Sequence, residues 1–319
     1  MKKKIINHNN ARSLRFVVNL NDKDDQKGPK LIDFILQNMP NKSRTTVKQL
    51  LRDRFVSVNG VAETLATRVM TDGMEVIVHA HPLPDKLNNP MLDILYQDDE
   101  IVICFKRAGI PTVGTSFEKK NTALRILSEH LKQYNPKTKV YMINRLDNDT
   151  AGFVIFAKNK DAQAYFTDHW DQIVLSQVYR CVVEGIPPLQ EGLLLKPLKP
   201  EEGKKQTAKL IAELDPTAMV RPQNGMASYK LLKKGPHNSL LEIKLLAGRN
   251  NQIRKQMKQV GMPLCGDKRG GSVIDDLEAV ALQMIKMVFV HPLTHEEMVF
   301  MEKMPSVFSR LVLYVPEKY

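Results

Sequence analysis

The sequence predicts an α+β protein built in two parts, and three observations lead to that prediction. The chain has 319 residues, of which 43% are hydrophobic, so it can bury more than one core. Segments that alternate apolar and polar residues, as strands do, are interleaved with segments of helical period. A stretch with three prolines and no periodicity, residues 80–90, separates the two parts and is predicted to be a linker.

The charge of the chain favours a polyanionic partner. Lys and Arg number 47 against 35 Asp and Glu, which gives a net charge of +12 and a pI near 9.4. Such an excess suits nucleic acid first and an anionic membrane surface second. No apolar run approaches the roughly 18 residues of a membrane-spanning helix, and the N-terminus lacks the apolar region of a signal peptide. We therefore expect a soluble cytoplasmic protein that does not contact a membrane.

The cysteines and histidines predict no metal site. Cys104, Cys181 and Cys265 are far apart and lie in apolar or glycine-flanked sequence, which favours reduced structural thiols over a disulfide framework or a zinc cluster. His79 and His81 lie at the start of the linker with no third ligand nearby in the sequence, so they are interpreted as polar linker residues.

The first part of the chain, residues 14–79, follows a basic tail of residues 1–13 and is predicted to form a small folded unit. Leu14 to Leu20 has the pattern of a strand. A segment of helical period comes next, and Pro40 ends it. Ser43 is then placed to cap a second helix.

The second helix carries a basic stripe and leads into a hairpin. Arg44, Lys48 and Arg52 recur every fourth residue and therefore share one face. An Asn-Gly pair between two apolar runs predicts a tight turn after this helix. The order of these elements resembles the small S-four (αL) RNA-binding domain, which lays a basic helix on the RNA backbone. The resemblance implies that Arg44, Lys48, Arg52 and Arg54 bind RNA, although solvated basic stripes are also common on soluble helices.

The second part, residues 91–319, alternates strand and helix patterns. Strands are predicted at residues 92–96, 101–105, 178–185, 226–232 and 240–246, and helices at residues 122–134, 162–170 and 253–260. Trp170 and His169 lie on the apolar stripe of the second of these helices and are predicted to be core and boundary residues. Residues 196–225 lack periodicity and are predicted to be a mobile excursion from the sheet.

The second part is organised around residues 142–158, a polar loop followed by a short apolar run that predicts a buried strand. Asp147 lies in this loop, close to the start of the strand. Loops held on a rigid core often carry binding and catalytic side chains, because the scaffold fixes their geometry. The alternative is that Arg145 and Asp147 form a surface ion pair and that the residues after them are ordinary turn formers.

Residues 144–152 resemble the His-Arg-Leu-Asp-x-x-Thr-Ser-Gly signature of RluA-type RNA pseudouridine synthases. Asn144 and Ala151 depart from it, at positions where the family usually has His and Ser. Further segments resemble the family in the same order along the chain. Residues 177–185 keep the family's Tyr as Tyr179 but have Gln177 in place of the usual Lys. Residues 247–254 have Asn251 in place of the usual His and keep four family residues: Arg249, Gln252, Ile253 and Arg254. Gln283 stands at a third position where a His is common.

This resemblance implies a mixed, mostly antiparallel sheet flanked by helices, with an active site in a cleft across it. It implies that Asp147 acts on the ribose as nucleophile or base, that Arg254 keeps this carboxylate ionised, and that Tyr179 stacks on uracil or removes a proton. It also implies a set of substrate-binding residues: Arg145, Leu146, Arg249, Gln252 and Ile253. Neither a cofactor nor a metal is expected, and the expected partner of this monomer is RNA, ribosomal first and tRNA second.

Two alternatives remain open from the sequence. The departures from the family pattern suggest a catalytically inactive RNA-binding or ribosome-assembly factor on the same fold. A nucleoside or glycoside hydrolase would instead need a second carboxylate as acid partner, for which Asp149 is the near candidate.

Overall fold

The computed structural model describes ten stretches of the chain: residues 13–20, 28–80, 82–83, 86–114, 116, 118–194, 210–211, 226–245, 252–274 and 277–315. Outside these residues lie the predicted basic tail, except residue 13, and nearly all of the predicted excursion. Arg249 and Asn251 also lie outside them.

The N-terminal unit is a four-stranded antiparallel sheet packed against two helices. Its elements are β1 (Leu14–Val17), α1 (Leu31–Asn38), α2 (Arg44–Arg52), β2 (Val56–Val58), β3 (Val61–Ala62) and β4 (Glu75–Val78), with strand order β1-β4-β2-β3. The unit has its own core, to which α1 contributes Leu31 and Ile35 and α2 contributes Val47 and Leu51.

Local signals in this unit act as the sequence predicts. The Ser43 side chain accepts a hydrogen bond from the Thr46 N–H and so caps α2. Asn59 and Gly60 have φ angles of 49° and 73° and join β2 to β3 as a two-residue turn, which confirms the predicted hairpin.

The predicted linker is not a free tether where the structure describes it. Leu83 and Leu87 are buried, and the Leu83 N–H donates to the Arg54 carbonyl at 2.7 Å. His79, interpreted above as a polar linker residue, is buried as well, with its Nε2 2.8 Å from Ser57 Oγ. Burial lowers the pKa of His79 to about 4, so the ring is neutral at physiological pH.

The second part contains two antiparallel sheets that share one core. The first sheet has the order β5-β6-β8-β7, with β5 (Leu92–Gln97), β6 (Ile101–Lys106), β7 (Tyr141–Met142) and β8 (Gly152–Ala157). The second has the order β11-β10-β12-β13-β9-β14-β15, with β9 (Val174–Glu184), β10 (Glu191–Leu194), β11 (Leu210–Ile211), β12 (Ala227–Lys234), β13 (Asn238–Leu245), β14 (Leu282–Val290) and β15 (Glu297–Met301).

Helices flank these sheets, as expected for the α+β class. They are α3 (Ala123–Lys132), α4 (Lys160–Ile173), α5 (Gln252–Gln259) and α6 (Ser306–Leu313), and a short 3-10 turn covers Lys268–Gly270. A parallel bridge between Ala151 and Gln283 joins the two sheets at the point where β8 begins. No described helix is both long and apolar enough to cross a membrane.

Every residue of β8 is buried, which confirms the strand predicted from the apolar run after Asp147. Its neighbours β6 and β14 contribute large side chains to the same core, among them Phe105 and Phe289. The loop that carries Asp147 therefore emerges from a rigid strand in the middle of the molecule. The three cysteines are buried free thiols, as predicted.

Candidate active site

The loop between β7 and β8, residues 143–151, is tied to the strand that follows it. The Asn144 amide donates to the Phe153 carbonyl at 3.2 Å, and its Oδ1 accepts from the Ile155 N–H at 2.7 Å. Asn144 therefore satisfies two backbone groups of β8 and fixes the beginning of the loop.

The same loop is held from the other side by the segment after β6. Thr112 Oγ1 donates to the Leu146 carbonyl at 2.8 Å and accepts from the Leu146 N–H at 3.0 Å. The Gly109 N–H donates to the Asn148 carbonyl at 2.8 Å. These contacts lie on either side of Asp147, so the backbone at the carboxylate is restrained from both ends.

Glycine is required where the loop enters β8. Gly152 has a φ of 150°, and a Cβ built there would lie 2.5 Å from Met284 Cβ on β14. This close approach brings β14 against the base of the loop and excludes any larger residue at position 152.

The loop, β9, α4 and α5 surround a cleft with a volume of about 410 Å³. It is lined by Asp147, Tyr179 and Arg254, and also by Arg145, Leu146, Gln252 and Ile253. Seven of the eight residues named from the family resemblance therefore meet in one cavity, although they come from segments more than 100 residues apart. The eighth, Arg249, lies outside the described residues.

Asp147 lies in an environment that opposes ionisation on balance. Burial raises the pKa of its carboxyl above the usual value, and the charge of Asp149 adds to that effect. The cations Arg254, Arg145 and Lys106 lower it, in that order, but they do not outweigh burial. Arg254 makes the largest contribution in favour of the ionised form, as expected for its role, although the net pKa of Asp147 stays raised.

Arg254 forms its two-point ion pair with Asp267, a carboxylate to which the sequence patterns assigned no role. Its Nε and Nη2 donate to the two oxygens of Asp267 at 2.9 and 2.7 Å. Its Nη1 lies 3.5 Å from Asp149 Oδ2. The side chains of Arg254 and Asp267 are only 13% and 2% exposed, so the pair is fixed and largely shielded from water.

Tyr179 projects from β9 and is buried. Burial raises the pKa of its phenol well above the usual value, and the negative charge of Asp147 raises it further. The phenol is therefore neutral at any physiological pH and presents an uncharged aromatic ring to the cleft.

Lys106 lies under the loop as a fully buried cation at the end of β6. Its Nζ donates to the carbonyls of Arg107 at 2.9 Å and Ile110 at 2.8 Å. Burial lowers the pKa of Lys106 to about 8, while the nearby charges of Asp147 and Asp149 raise it.

Further residues to which the sequence patterns assigned no functional role also line the cleft. Trp170, which was predicted to be a core or boundary residue, is half-buried and faces the cleft. Gln177 also faces the cleft. Thr150 Oγ1 is buried there with no hydrogen-bond partner among the described residues. The available signal for Asp267 is that the segment Gly266-Asp267 also resembles the family pattern, whereas the orientation of Trp170 has no signal in the sequence.

The N-terminal cations do not form one uniform group. Arg44, Lys48 and Arg52 are exposed on α2, where Arg44 Nη1 donates to Asp33 Oδ1 at 2.8 Å and Arg52 contacts Asp53 and Gln49. Arg54 is half-buried and donates to the Leu83 carbonyl at 3.2 Å, so it faces the linker.

Comparison with known proteins matches this chain to a protein family. The model of the RNA pseudouridylate synthase family matches residues 100–259, which include the loop, Tyr179 and Arg254. A Bacillus subtilis protein named as an uncharacterized RNA pseudouridine synthase is 26% identical over 301 residues, covering 92% of this chain and 97% of that protein. The ribosomal large subunit pseudouridine synthase D of Vibrio cholerae is 26% identical over 314 residues, covering 92% and 94%.

Among solved structures, human RNA pseudouridylate synthase domain containing 4 is similar with a TM-score of 0.51 at 19% identity, over 70% of this chain and 94% of that one. This similarity supports the fold assigned to the second part.

Proposed function

The chain belongs to the RNA pseudouridylate synthase family and is an isomerase that acts on RNA, and from that premise we propose that it converts specific uridines of a structured RNA to pseudouridine through Asp147. The observation that carries this proposal is the cleft itself. Asp147, carried by a loop that is restrained from both ends, meets Tyr179 of β9 and Arg254 of α5 there.

The reaction moves bonds without adding or removing atoms. The bond between uracil N1 and the anomeric carbon breaks, the base rotates, and uracil C5 bonds to the same carbon; the proton on C5 leaves and N1 gains one. Asp147 either attacks the anomeric carbon or removes a proton from the neighbouring sugar carbon, and both routes begin with its ionised form. Arg254, Arg145 and Lys106 favour that form electrostatically.

The neighbouring residues supply binding and orientation. The neutral ring of Tyr179 offers a stacking surface for the detached uracil, and its raised pKa favours this role over proton removal. Arg145 is exposed at the cleft and is suited to hold a phosphate of the flipped nucleotide. Flipping costs a few kcal/mol and least in unpaired regions, so we propose loops of folded RNA as the target.

Ribosomal RNA is the proposed substrate, with tRNA as the competing outcome. Support comes from the similarity to the Vibrio cholerae protein, whose name refers to the large ribosomal subunit and which aligns over 92% of this chain. Action on ribosomal RNA implies a cytoplasmic location, and we propose that the chain works as a monomer. Mapping pseudouridines in cellular RNA with and without the protein identifies the RNA and the position.

We also propose that residues 14–79 are an S-four type RNA-binding domain, that residues 80–90 connect it to the catalytic domain, and that the latter spans residues 91–319. The exposed stripe of Arg44, Lys48 and Arg52 on α2 supports this assignment.

The inactive assembly factor is the less favoured function. It is motivated by neutral amides at positions where the family commonly has His, yet the two described amides have specific partners. Asn144 bonds to the backbone of β8 at both ends, and Gln283 Nε2 donates to the Lys303 carbonyl at 2.9 Å. The hydrolase alternative loses support because Asp149, its acid candidate, is paired with Arg254.

The test of the proposed function is Asp147→Asn, which removes one reactive oxygen at nearly constant volume. We expect pseudouridine formation to be abolished while folding and RNA affinity are retained. Tritium release from RNA labelled at uracil C5 measures turnover, and Asp168→Asn, the same change at an exposed position of α4, is the matched control. Activity above about a thousandth of wild type contradicts the assignment, and detection of free uracil points to hydrolysis.

A further inference from the structure

A second carboxylate, Asp149, lies beside Asp147 at a position that the family signature leaves free. Its Oδ1 accepts a hydrogen bond from Asn148 Nδ2 at 2.9 Å, and its Oδ2 faces Arg254 Nη1 at 3.5 Å. The two oxygens therefore connect the turn after Asp147 to the first turn of α5. The side chain is 41% exposed, so the contact with Arg254 is reversible and open to solvent.

Asp267 holds Arg254 from the side that faces away from the loop. A bidentate ion pair uses Nε and Nη2 and fixes the plane of the guanidinium group. Nη1 is then directed away from Asp267 and towards the loop. Asp149 meets this nitrogen, so Arg254 is held between two carboxylates, one buried and one exposed.

We propose that Asp149 is a positioning residue for the isomerisation: together with Asp267 it holds Arg254 between the loop and α5, and it adds a second negative charge beside Asp147. This inference rests on the proposed function, since it assigns a role relative to Asp147 and Arg254. It goes further by assigning a role to a residue at a position that the signature leaves free.

The charged groups that face Asp147 determine how the role is measured. They are Arg145 and Asp149 on the loop, Lys106 at the end of β6, Arg254 on α5 and the neutral phenol of Tyr179 on β9. Asp149 is the anion in this set that raises the pKa of Asp147. Replacing it by Asn removes one charge at constant shape, so the pKa of Asp147 falls towards its usual value.

The sign of the effect follows from the reactive form. Ionised Asp147 reacts, so the rate falls as pH drops through its raised pKa. In Asp149→Asn the acid limb of the pH–rate profile therefore moves to lower pH. A shift of about half a pH unit corresponds to a roughly threefold higher rate on that limb, relative to the plateau of each protein.

The experiment measures single-turnover tritium release from C5-labelled RNA between about pH 4.5 and 8.5. Asp149→Asn is compared with Asp168→Asn, which removes the same charge from the exposed side of α4, and with Asp149→Glu, which keeps the charge. We expect the acid limb to move only in Asp149→Asn. A melting temperature equal to that of wild type shows that all three variants are folded.

The outcomes separate this inference from the proposed function. If the acid limb of Asp149→Asn stays in place or moves to higher pH, the inference is overturned. This holds even if the plateau rate falls, because a purely structural role lowers the rate equally at every pH. Retained activity in Asp147→Asn overturns the proposed function. An inactive Asp147→Asn variant combined with an unmoved limb in Asp149→Asn refutes the inference alone.

Discussion

Asn144 lies near the start of the loop that carries Asp147, at a position where the family usually has His. Both ends of its side chain bond to the backbone of β8, so the residue needs one donor and one acceptor. A neutral imidazole provides the same two functions, and it differs from an amide in that it titrates near pH 6.5. If the position serves only to fix the loop, either side chain is adequate.

We therefore expect Asn144→His to keep the single-turnover rate within about tenfold of wild type, which corresponds to ~1.4 kcal/mol or less in the activation free energy. Asn144→Ala should instead lower the free energy of unfolding by about 1 to 3 kcal/mol, because it leaves the Ile155 N–H and the Phe153 carbonyl without their partner. Thermal unfolding and tritium release measure the two effects. A gain of a hundredfold or more in Asn144→His would show that the natural residue impairs catalysis and would favour the assembly-factor function.

Single residues also mark the limit of what the sequence reveals. Asp147, Tyr179 and Arg254 could be named because each lies in a short motif. Asp267 could not be assigned as the partner of Arg254, because an ion pair between α5 and the following turn depends on their relative orientation. The burial of His79 was missed for the same reason: its partner Ser57 is 22 positions away in the sequence.

At the level of secondary structure, three elements that were predicted from a local physical cause are present in the structure. The buried strand β8 follows from an uninterrupted apolar run, the β2–β3 turn from Asn-Gly, and the start of α2 from the Ser43 cap. The order of strands in the second sheet has no such local signal. β9 lies between β13 and β14, which are distant in sequence, so sheet order could be expected only through the family resemblance.

The helix α2 carries the basic stripe into solvent. Its two arginines have nearby acceptors on Asp33, Asp53 and Gln49, but ion pairs between exposed side chains contribute little, typically about 0 to 1 kcal/mol. A phosphate can therefore replace these partners at small cost. The stripe remains available to RNA even though it is not free of contacts.

We expect the triple variant Arg44→Gln, Lys48→Gln and Arg52→Gln to bind RNA more weakly. The slope of log affinity against log salt should become shallower by about two to three, because each cation that contacts a phosphate releases roughly 0.7 to 0.9 counterions. The control removes the same charge from the exposed lysines of β12: Lys230, Lys233 and Lys234. Binding measured across salt concentrations distinguishes the two sets. Equal slopes in both triple variants would identify the stripe as solvated surface.

Across the whole molecule, the N-terminal unit is joined to the second part by a polar network at their boundary. Arg15 on β1 pairs with Glu75 on β4 and donates to Asp98 Oδ2 at 2.7 Å. The same oxygen accepts from the Tyr96 hydroxyl at 3.1 Å and lies 2.7 Å from His291 Nε2. Asp98 is 2% exposed and His291 is fully buried, so strands from both parts share one desolvated carboxylate.

This network explains why a two-part reading of the sequence was incomplete. A proline-rich stretch between two folded patterns suggests independent units on a tether. Arg15 and Asp98, which join the two parts, are separated by 83 positions, and no local pattern marks Asp98, which lies between β5 and β6. Fixing the first unit against the second also fixes the basic face of α2 relative to the cleft.

The acid stability of the protein should depend on this network. Burial alone would raise the pKa of Asp98, but its hydrogen bond with His291, the Ile101 N–H and the charge of Arg15 together lower it well below the usual range. A carboxylate with a depressed pKa stabilises the fold fully above the ordinary Asp pKa, about 4, and that stabilisation is lost as pH falls from this value through the lower pKa of the folded state. Removing Arg15 should thus cost most at neutral pH.

We expect Arg15→Met to lower the free energy of unfolding at pH 7 by about 1 to 3 kcal/mol, because it withdraws a charged partner from Asp98 while keeping much of the side-chain volume. The difference from wild type should stay constant down to the ordinary Asp pKa, about 4, and shrink below it as folded Asp98 takes up a proton, first in the variant and at still lower pH in wild type. The control is Arg125→Met, which breaks an exposed ion pair with Glu129 on α3 and should leave stability within about 0.5 kcal/mol of wild type. Thermal unfolding of the three proteins across this pH range is the measurement. If Arg15→Met behaves like Arg125→Met, or if its deficit grows on acidification, the network does not stabilise the junction between the two parts.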